Sequence, residues 1–198
     1  RAKQKQKYIE KLEAKQKDIR RKALDLCREH DYSEAESLFI GMTTANLKRF
    51  REWAEMKQKT IQLAKEAYRL VHDSGEVLAG YKMNIKGKIQ PAVITNIGYS
   101  DIYAEFREKI YRKGEFVKEK KERITFSLDK INQSRLLTLM KEAAKRKEMS
   151  EEKTDKLIGA YLFASGQQID KALNLLQVFL YIFVSVLRVA VGQAVFPY

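Results

Sequence analysis

The chain has few of the residues that punctuate or cross-link a fold. Its 198 residues include two prolines (Pro91, Pro197), nine glycines, one cysteine (Cys27) and two histidines (His30, His72). So few turn residues do not suit a sandwich or barrel, which argues against an all-β fold, and the same counts exclude collagen-like and low-complexity classes. A lone cysteine rules out an intramolecular disulfide framework and any multi-cysteine zinc site. Gly87-Lys88 lacks every other element of a phosphate-binding loop. His30 and His72 fall near expected helix ends, where a histidine serves as an electrostatic cap. Cys27 lies beside an apolar seam and reads as a small buried hydrophobe. Glu151 and Glu152 suit a helix start, and Trp53 suits packing. No catalytic residue, metal ligand or cofactor site is expected, and the chain reads as non-enzymatic.

What is abundant is charge, mostly of one sign. Charged residues make up 33% of the chain and apolar ones 44%, and 39 Lys and Arg against 26 Asp and Glu give a net charge of +13. Residues 1–22 hold ten bases against three acids, a net +7. Residues 107–147 hold fourteen bases against six acids, a net +8. The chain opens on Arg1, which implies a processed or trimmed terminus, and its first 22 residues are too charged for the apolar core of a secretion signal.

The expected fold class is mostly α: a long basic N-terminal helical arm (residues 1–30), then an antiparallel helix bundle (31–198), with a small irregular or hairpin segment around 76–100. Tyr8, Leu12, Ile19, Ala23 and Leu26 make a narrow helical stripe. Lys3, Lys5 and Lys7 leave the arm's tip without an apolar face, so alone it should fray. Ser33 and Glu36 form a capping-box pattern for a short helix ending at Gly41. Thr43 or Thr44 should cap a helix to about His72, whose Leu47, Phe50, Ala54, Ile61, Ala64, Tyr68 and Val71 follow a heptad with Lys57 as the exception. Ile102, Tyr103, Phe106 and Ile110 read as a further helix, Ser127 as a cap for the next, and Ser150-Glu151-Glu152 as another helix start. Short breaks would make residues 100–195 a set of helical hairpins.

Two features point to function. The first is basic charge suited to phosphate. Each Lys or Arg that neutralises a phosphate releases a counterion, so many contacts give strong, steeply salt-dependent binding. A 28-residue helix is about 42 Å long at roughly 1.5 Å per residue, enough to follow a duplex for more than one turn. With no recognition-helix, zinc-finger or single-strand-stacking pattern, the expected binding is to double-stranded DNA and independent of sequence. The second feature is the apolar end. Residues 172–187 pass without a charge, fewer than the ~20 residues that span a bilayer. Extending through Arg188 reaches that length at a cost of roughly 2.5–3.5 kcal/mol. A buried bundle or subunit interface, lipid contact and a membrane span all stay open. Leu176, Phe179, Tyr181, Phe183, Leu187 and Phe196 are the candidate subunit- or lipid-facing residues.

Taken together, the basic helical arm (residues 1–28), the helices after it and the apolar end (175–198) resemble the major coat proteins of filamentous, enveloped archaeal viruses, the lipothrixvirus type and its rod-shaped relatives. The Lys-, Glu-, Ile- and Tyr-rich composition also resembles a thermophile's. The resemblance implies a capsid subunit in a virion: a homologous coat protein as pseudo-symmetric dimer partner, linear A-form DNA wrapped in a helical nucleocapsid, a lipid envelope around it, and assembly in the host cytoplasm. Under it, Lys3, Lys5, Lys7, Lys11, Lys15, Lys17, Arg20, Arg21, Lys22 and Arg28 would contact phosphates, with Lys48, Arg49 and Arg51 as further candidates. The segment 76–100 departs from an arm-plus-four-helix plan. The alternative is a membrane-associated basic protein held by its C-terminal helix, with Lys and Arg on anionic lipid. Replacing Phe179 and Phe183 with Ser should impair folding or assembly, followed by sedimentation, before it changes DNA affinity.

Overall fold

The computed structural model describes residues 2–84, 91–98, 100–168, and residues 171, 172 and 175. Its elements are α1 (Ala2–Arg28), α2 (Tyr32–Ser37), α3 (Ile40–Thr43), α4 (Lys48–His72), strands β1 (Lys82–Met83), β2 (Ala92–Ile97), β3 (Asp101–Arg112) and β4 (Glu115–Ser127), a 3-10 turn (Leu128–Lys130), α5 (Gln133–Arg146) and α6 (Glu151–Ala164). They divide into two compact units: Arg1–Ala67 with Glu151–Tyr198, and Tyr68–Ser150.

The first unit is helical. Leu12, Ile19, Ala23 and Cys27 of α1 are buried, as are Phe50, Ala54, Ile61 and Ala64 of α4, so the middle of each stripe read from the sequence faces inward, while Tyr8 is exposed and Leu26, Leu47 and Tyr68 are half-buried. Helix α6 is buried on every side from Leu157 to Leu162, which is how a helix central to a core behaves. Its end is fitted closely to α1. Gly166 sits at φ 65°, and a Cβ there would come within 2.6 Å of the end of the Leu24 side chain, so the turn favours glycine. The Arg28 guanidinium donates to the Ser165 carbonyl at 3.3 Å. Tyr161 stacks on His30 with ring centroids 6.3 Å apart, and burial pushes its hydroxyl up to about 12. Cys27 is 1% exposed, and burial raises its thiol to about 11, the state of an inert packing residue. The cap of α2 is Asp31, whose carboxylate accepts from the Glu34 amide at 3.1 Å, in place of the expected Ser33. An acid one residue before Tyr32 starts the helix early and lets that ring be buried.

The second unit overturns the helix bundle. Residues 92–127 form three strands that, with β1, make a four-stranded antiparallel sheet in the order β1-β2-β3-β4. The segment 101–112, read above as a helix, is a strand in which Ile102, Ala104 and Phe106 are buried and alternate with more accessible residues. The reason is partly local. Lys113 and Gly114 have φ of 52° and 86°, the positive values that a two-residue hairpin turn demands at both central positions. The strands either side carry β-branched and aromatic residues such as Ile102, Tyr103, Ile124 and Thr125, which suit a pleated surface. Ser127 does not cap a helix directly. A 3-10 turn follows it, and the Asn132 side chain caps α5 by accepting from the Arg135 amide at 2.9 Å. Helix α5 buries Leu136, Leu137, Leu139 and Met140, and Arg146 at its end donates to the Val77 and Ala79 carbonyls at 2.7 and 2.9 Å.

The heptad exception on α4 is explained by its surroundings. The Lys57 ammonium lies 4.3 Å from the centre of the Phe163 ring. Burial, with repulsion from Arg20, lowers its pKa from 10.5 to about 8. Below pH 8 the lysine is charged in both states, and the folded state bears the full desolvation cost. Between pH 8 and 10.5 the unfolded chain holds a proton that the folded chain has shed, so this contribution to stability rises with pH. Lys57→Met should therefore stabilise the protein at pH 7 by roughly 1–3 kcal/mol, a gain that shrinks to nothing as pH passes from 8 to 10.5. Urea denaturation of both proteins across that range checks it.

Candidate nucleic-acid interface

The phosphate-binding candidates divide by what already holds them. Lys3, Lys5, Lys7, Lys11, Lys15 and Lys17 on α1 are exposed, and among the described residues none of them makes an ion pair. Arg20 is exposed too, and its charge bears on Lys57. The rest are engaged. Arg21 and Lys22 each lie 3.0 Å from Asp18, and the two cations, Lys22 first, hold that carboxyl below its ordinary value. Arg28 is tied to the Ser165 carbonyl. Lys48 lies 3.4 Å from Glu52. Arg49 bridges helices by reaching Glu13 at 2.9 Å, and its guanidinium lies 4.7 Å from the centre of the Phe50 ring. Arg51 donates to the Ala45 carbonyl at 2.8 Å.

Helical geometry sorts the unpaired lysines further. At 100° per residue, Lys3, Lys7 and Lys17 lie on the side of α1 opposite Leu12 and Ile19, while Lys11 and Lys15 flank them. Lys5 continues the heptad of Leu12 and Ile19 toward the N-terminus, where an apolar residue would extend the seam. Among the described residues of α1, none before Leu12 is buried. The first turns of the helix are thus solvated on all sides and densely positive.

The second basic block lies elsewhere in the fold than the sequence suggested. Eight of its cations are on strands or their turn: Arg107, Lys109, Arg112 and Lys113 lead out along β3, and Lys118, Lys120, Lys121 and Arg123 return along β4. The others are Lys130, Arg135 and the cations at the end of α5, of which Arg146 and Lys147 bind the Val77, Ala79 and Asp73 carbonyls. Exposed aromatic residues accompany this block. Tyr103, Tyr111 and Phe116 are 44%, 58% and 56% exposed, and reasoning from sequence does not place them in the site. The signal that could have found them is Lys113-Gly114 between two runs of alternating residues.

Leu176, Phe179, Tyr181, Phe183, Leu187 and Phe196 lie outside the described residues. Among the described residues no helix is long and apolar enough to cross a membrane, and no cluster of three or more His, Cys, Asp or Glu could hold a metal ion. Comparison with known proteins finds no matching family model, no matching curated protein and no matching solved structure.

The division of cations makes a measurable distinction. Replacing Lys3, Lys7, Lys11 and Lys17 with Gln should weaken duplex-DNA binding, lower the salt slope by about one for each phosphate no longer neutralised and leave the melting temperature unchanged. Arg28→Gln should instead cost about 1 kcal/mol of stability, because its hydrogen bond to the Ser165 carbonyl disappears, and change the slope little.

Proposed function

We propose that this chain is a structural, non-catalytic protein that binds double-stranded DNA through phosphate contacts along α1, without reading sequence. The observation that carries this reading is the set of exposed lysines on α1 that have no acidic partner among the described residues. An isolated surface lysine is ordinary. Six fall within the first 17 residues, with Lys3, Lys7 and Lys17 opposite the face that is buried from Leu12 onward, and together they make this end of the helix densely positive. The helix has 27 residues and is about 40 Å long, comparable with the roughly 34–36 Å of one duplex turn. Lysine carries a point charge on a flexible stem, which suits phosphate along a backbone better than the planar recognition of a base edge.

A coat subunit is the form of this activity that the apolar C-terminal sequence suits best. Many copies would line the duplex by α1 and meet each other, a homologous partner or a lipid envelope through residues 175–198. The sheet unit is additional to an arm-plus-four-helix plan, so the coat reading rests on the basic helix and the apolar end.

Because α1 contributes Leu12, Ile19, Ala23 and Cys27 to the core, deleting it would remove fold and charge together. The informative comparison is the full chain against a variant with Lys3, Lys5, Lys7, Lys11, Lys15 and Lys17 changed to Gln, measured for duplex affinity across a salt series and for nuclease protection. A steep slope that flattens in the variant, with a fixed length of duplex protected regardless of sequence, is expected, and electron microscopy of the saturated complex should show filaments. Preference for one short site, or equal slopes for both proteins, would overturn the proposal.

A further inference from the structure

Residues 107–121 form the outer part of the β3–β4 hairpin, and none of them is buried. Six cross-strand pairs, from Arg107↔Lys121 to Arg112↔Glu115, carry it about 20 Å at roughly 3.4 Å per residue. Seven bases stand on it against three acids, Glu108, Glu115 and Glu119. Each acid has a base at its cross-strand position: Glu108 is opposite Lys120, Glu119 opposite Lys109, and Glu115 opposite Arg112. Arg107 and Lys121 face each other with like charge, an arrangement that destabilises a bare ribbon. Glu105 offsets Arg107 at 2.8 Å but is itself opposite Arg123. A two-stranded ribbon exposed on both faces is marginal in water, and this one has positive charge to offer along both strands.

Its tip is apolar as well as basic. Tyr111 and Phe116 are paired across the strands, with ring centroids 6.1 Å apart and planes at 72°. Val117 beside them is 53% exposed, at the register shift that follows Ile110. We infer that the β3–β4 ribbon enters a groove of duplex DNA with its Lys and Arg on the flanking phosphates and drives the Tyr111–Phe116–Val117 tip between base pairs as a wedge that bends the duplex. The inference rests on the duplex-binding reading above and adds a second site with a different action.

Several details favour duplex DNA over other occupants. A groove admits a two-stranded ribbon, and apolar side chains that part a base step kink DNA while basic flanks hold its backbone. Lys113 is at the apex of the turn, so a tip dipping into lipid would carry a charge deepest. Tyr111 and Phe116 meet edge to face, which makes one thick wedge instead of the successive flat platforms that single-stranded bases need.

The test uses the full chain and a Tyr111→Ser, Phe116→Ser, Val117→Ser variant. These side chains are all more than half exposed, and circular dichroism of the variant checks its fold first. Bending is read by energy transfer between the ends of a labelled duplex, and affinity is compared for a continuous duplex and one with a central mismatch that eases unstacking. The unaltered protein should bend the duplex and prefer the mismatched one by about tenfold. The variant should bind continuous duplex within about threefold of the original and with the same salt slope, yet lose the bend and the preference. A straight bound duplex, or a bend that survives in the variant, overturns the wedge and leaves the α1 reading standing. Tip-dependent binding that is tighter to single-stranded DNA overturns it in favour of base stacking. No duplex binding at any salt overturns both.

Discussion

Burial of one narrow stripe on α1 is the constraint on which the helical unit depends. Leu12, Ile19, Ala23 and Cys27 must leave water, and a fully buried Leu or Ile side chain is worth about 1.5–3 kcal/mol each. Seating them turns the opposite side of the helix to solvent. A helix of that length with so many lysines would be marginal alone, because like charges repel and isolated helices are weakly cooperative. Docked along one face from Leu12 onward, it seats the turns that carry Lys15 and Lys17, while Lys3, Lys5, Lys7 and Lys11 stand on the turns before that contact. The contacts that seat it are specific: Arg49 to Glu13, Arg28 to the Ser165 carbonyl, and Leu24 against Gly166. Cations engaged in those contacts maintain the helix, and the lysines from Lys3 to Lys17 stay exposed.

The same unit tolerates a charge near its interior. Lys57 occupies a position where the heptad asks for an apolar side chain, and it survives there by laying its ammonium on the Phe163 ring while its stem packs. Its lowered pKa records the cost, and the repulsion from Arg20 shows that α1 and α4 are close enough to feel each other's charge. The two helices were legible as amphipathic elements. Their shared electrostatics were not, because nothing in a linear sequence says that residues 20 and 57 will be neighbours.

In the other unit the decisive element is a two-residue turn. Lys113 and Gly114 at positive φ reverse the chain and commit residues 101–127 to a hairpin. The helical reading of this stretch failed for a physical reason. Ile102, Phe106 and Ile110 are four residues apart, and a spacing of four falls on one face of a helix and on one face of a strand alike. Ala104 between them, buried in the sheet, breaks the tie only once the sheet exists. The stretch 115–123 is rich in Lys and Glu, residues with better helix than strand propensity, and pairing to β3 along its full length overrides that preference.

The sequence by itself determined what periodicity and counting can reach: the excess of positive charge and its two blocks, the stripes of α1 and α4, the helix start at Glu151, and the inert character of Cys27. These are properties of near neighbours along the chain, set by side-chain chemistry and a 3.6-residue period. Tertiary structure alone decided the rest. It paired β3 with β4 and so moved eight cations of the second basic block onto a hairpin, it exposed Tyr111 and Phe116 together at the tip, and it separated the exposed lysines of α1 from arginines that hold helices in place. Strand pairing and ion pairing join residues far apart in sequence. Their free energy depends on which surfaces meet, and that is fixed only when the chain has folded.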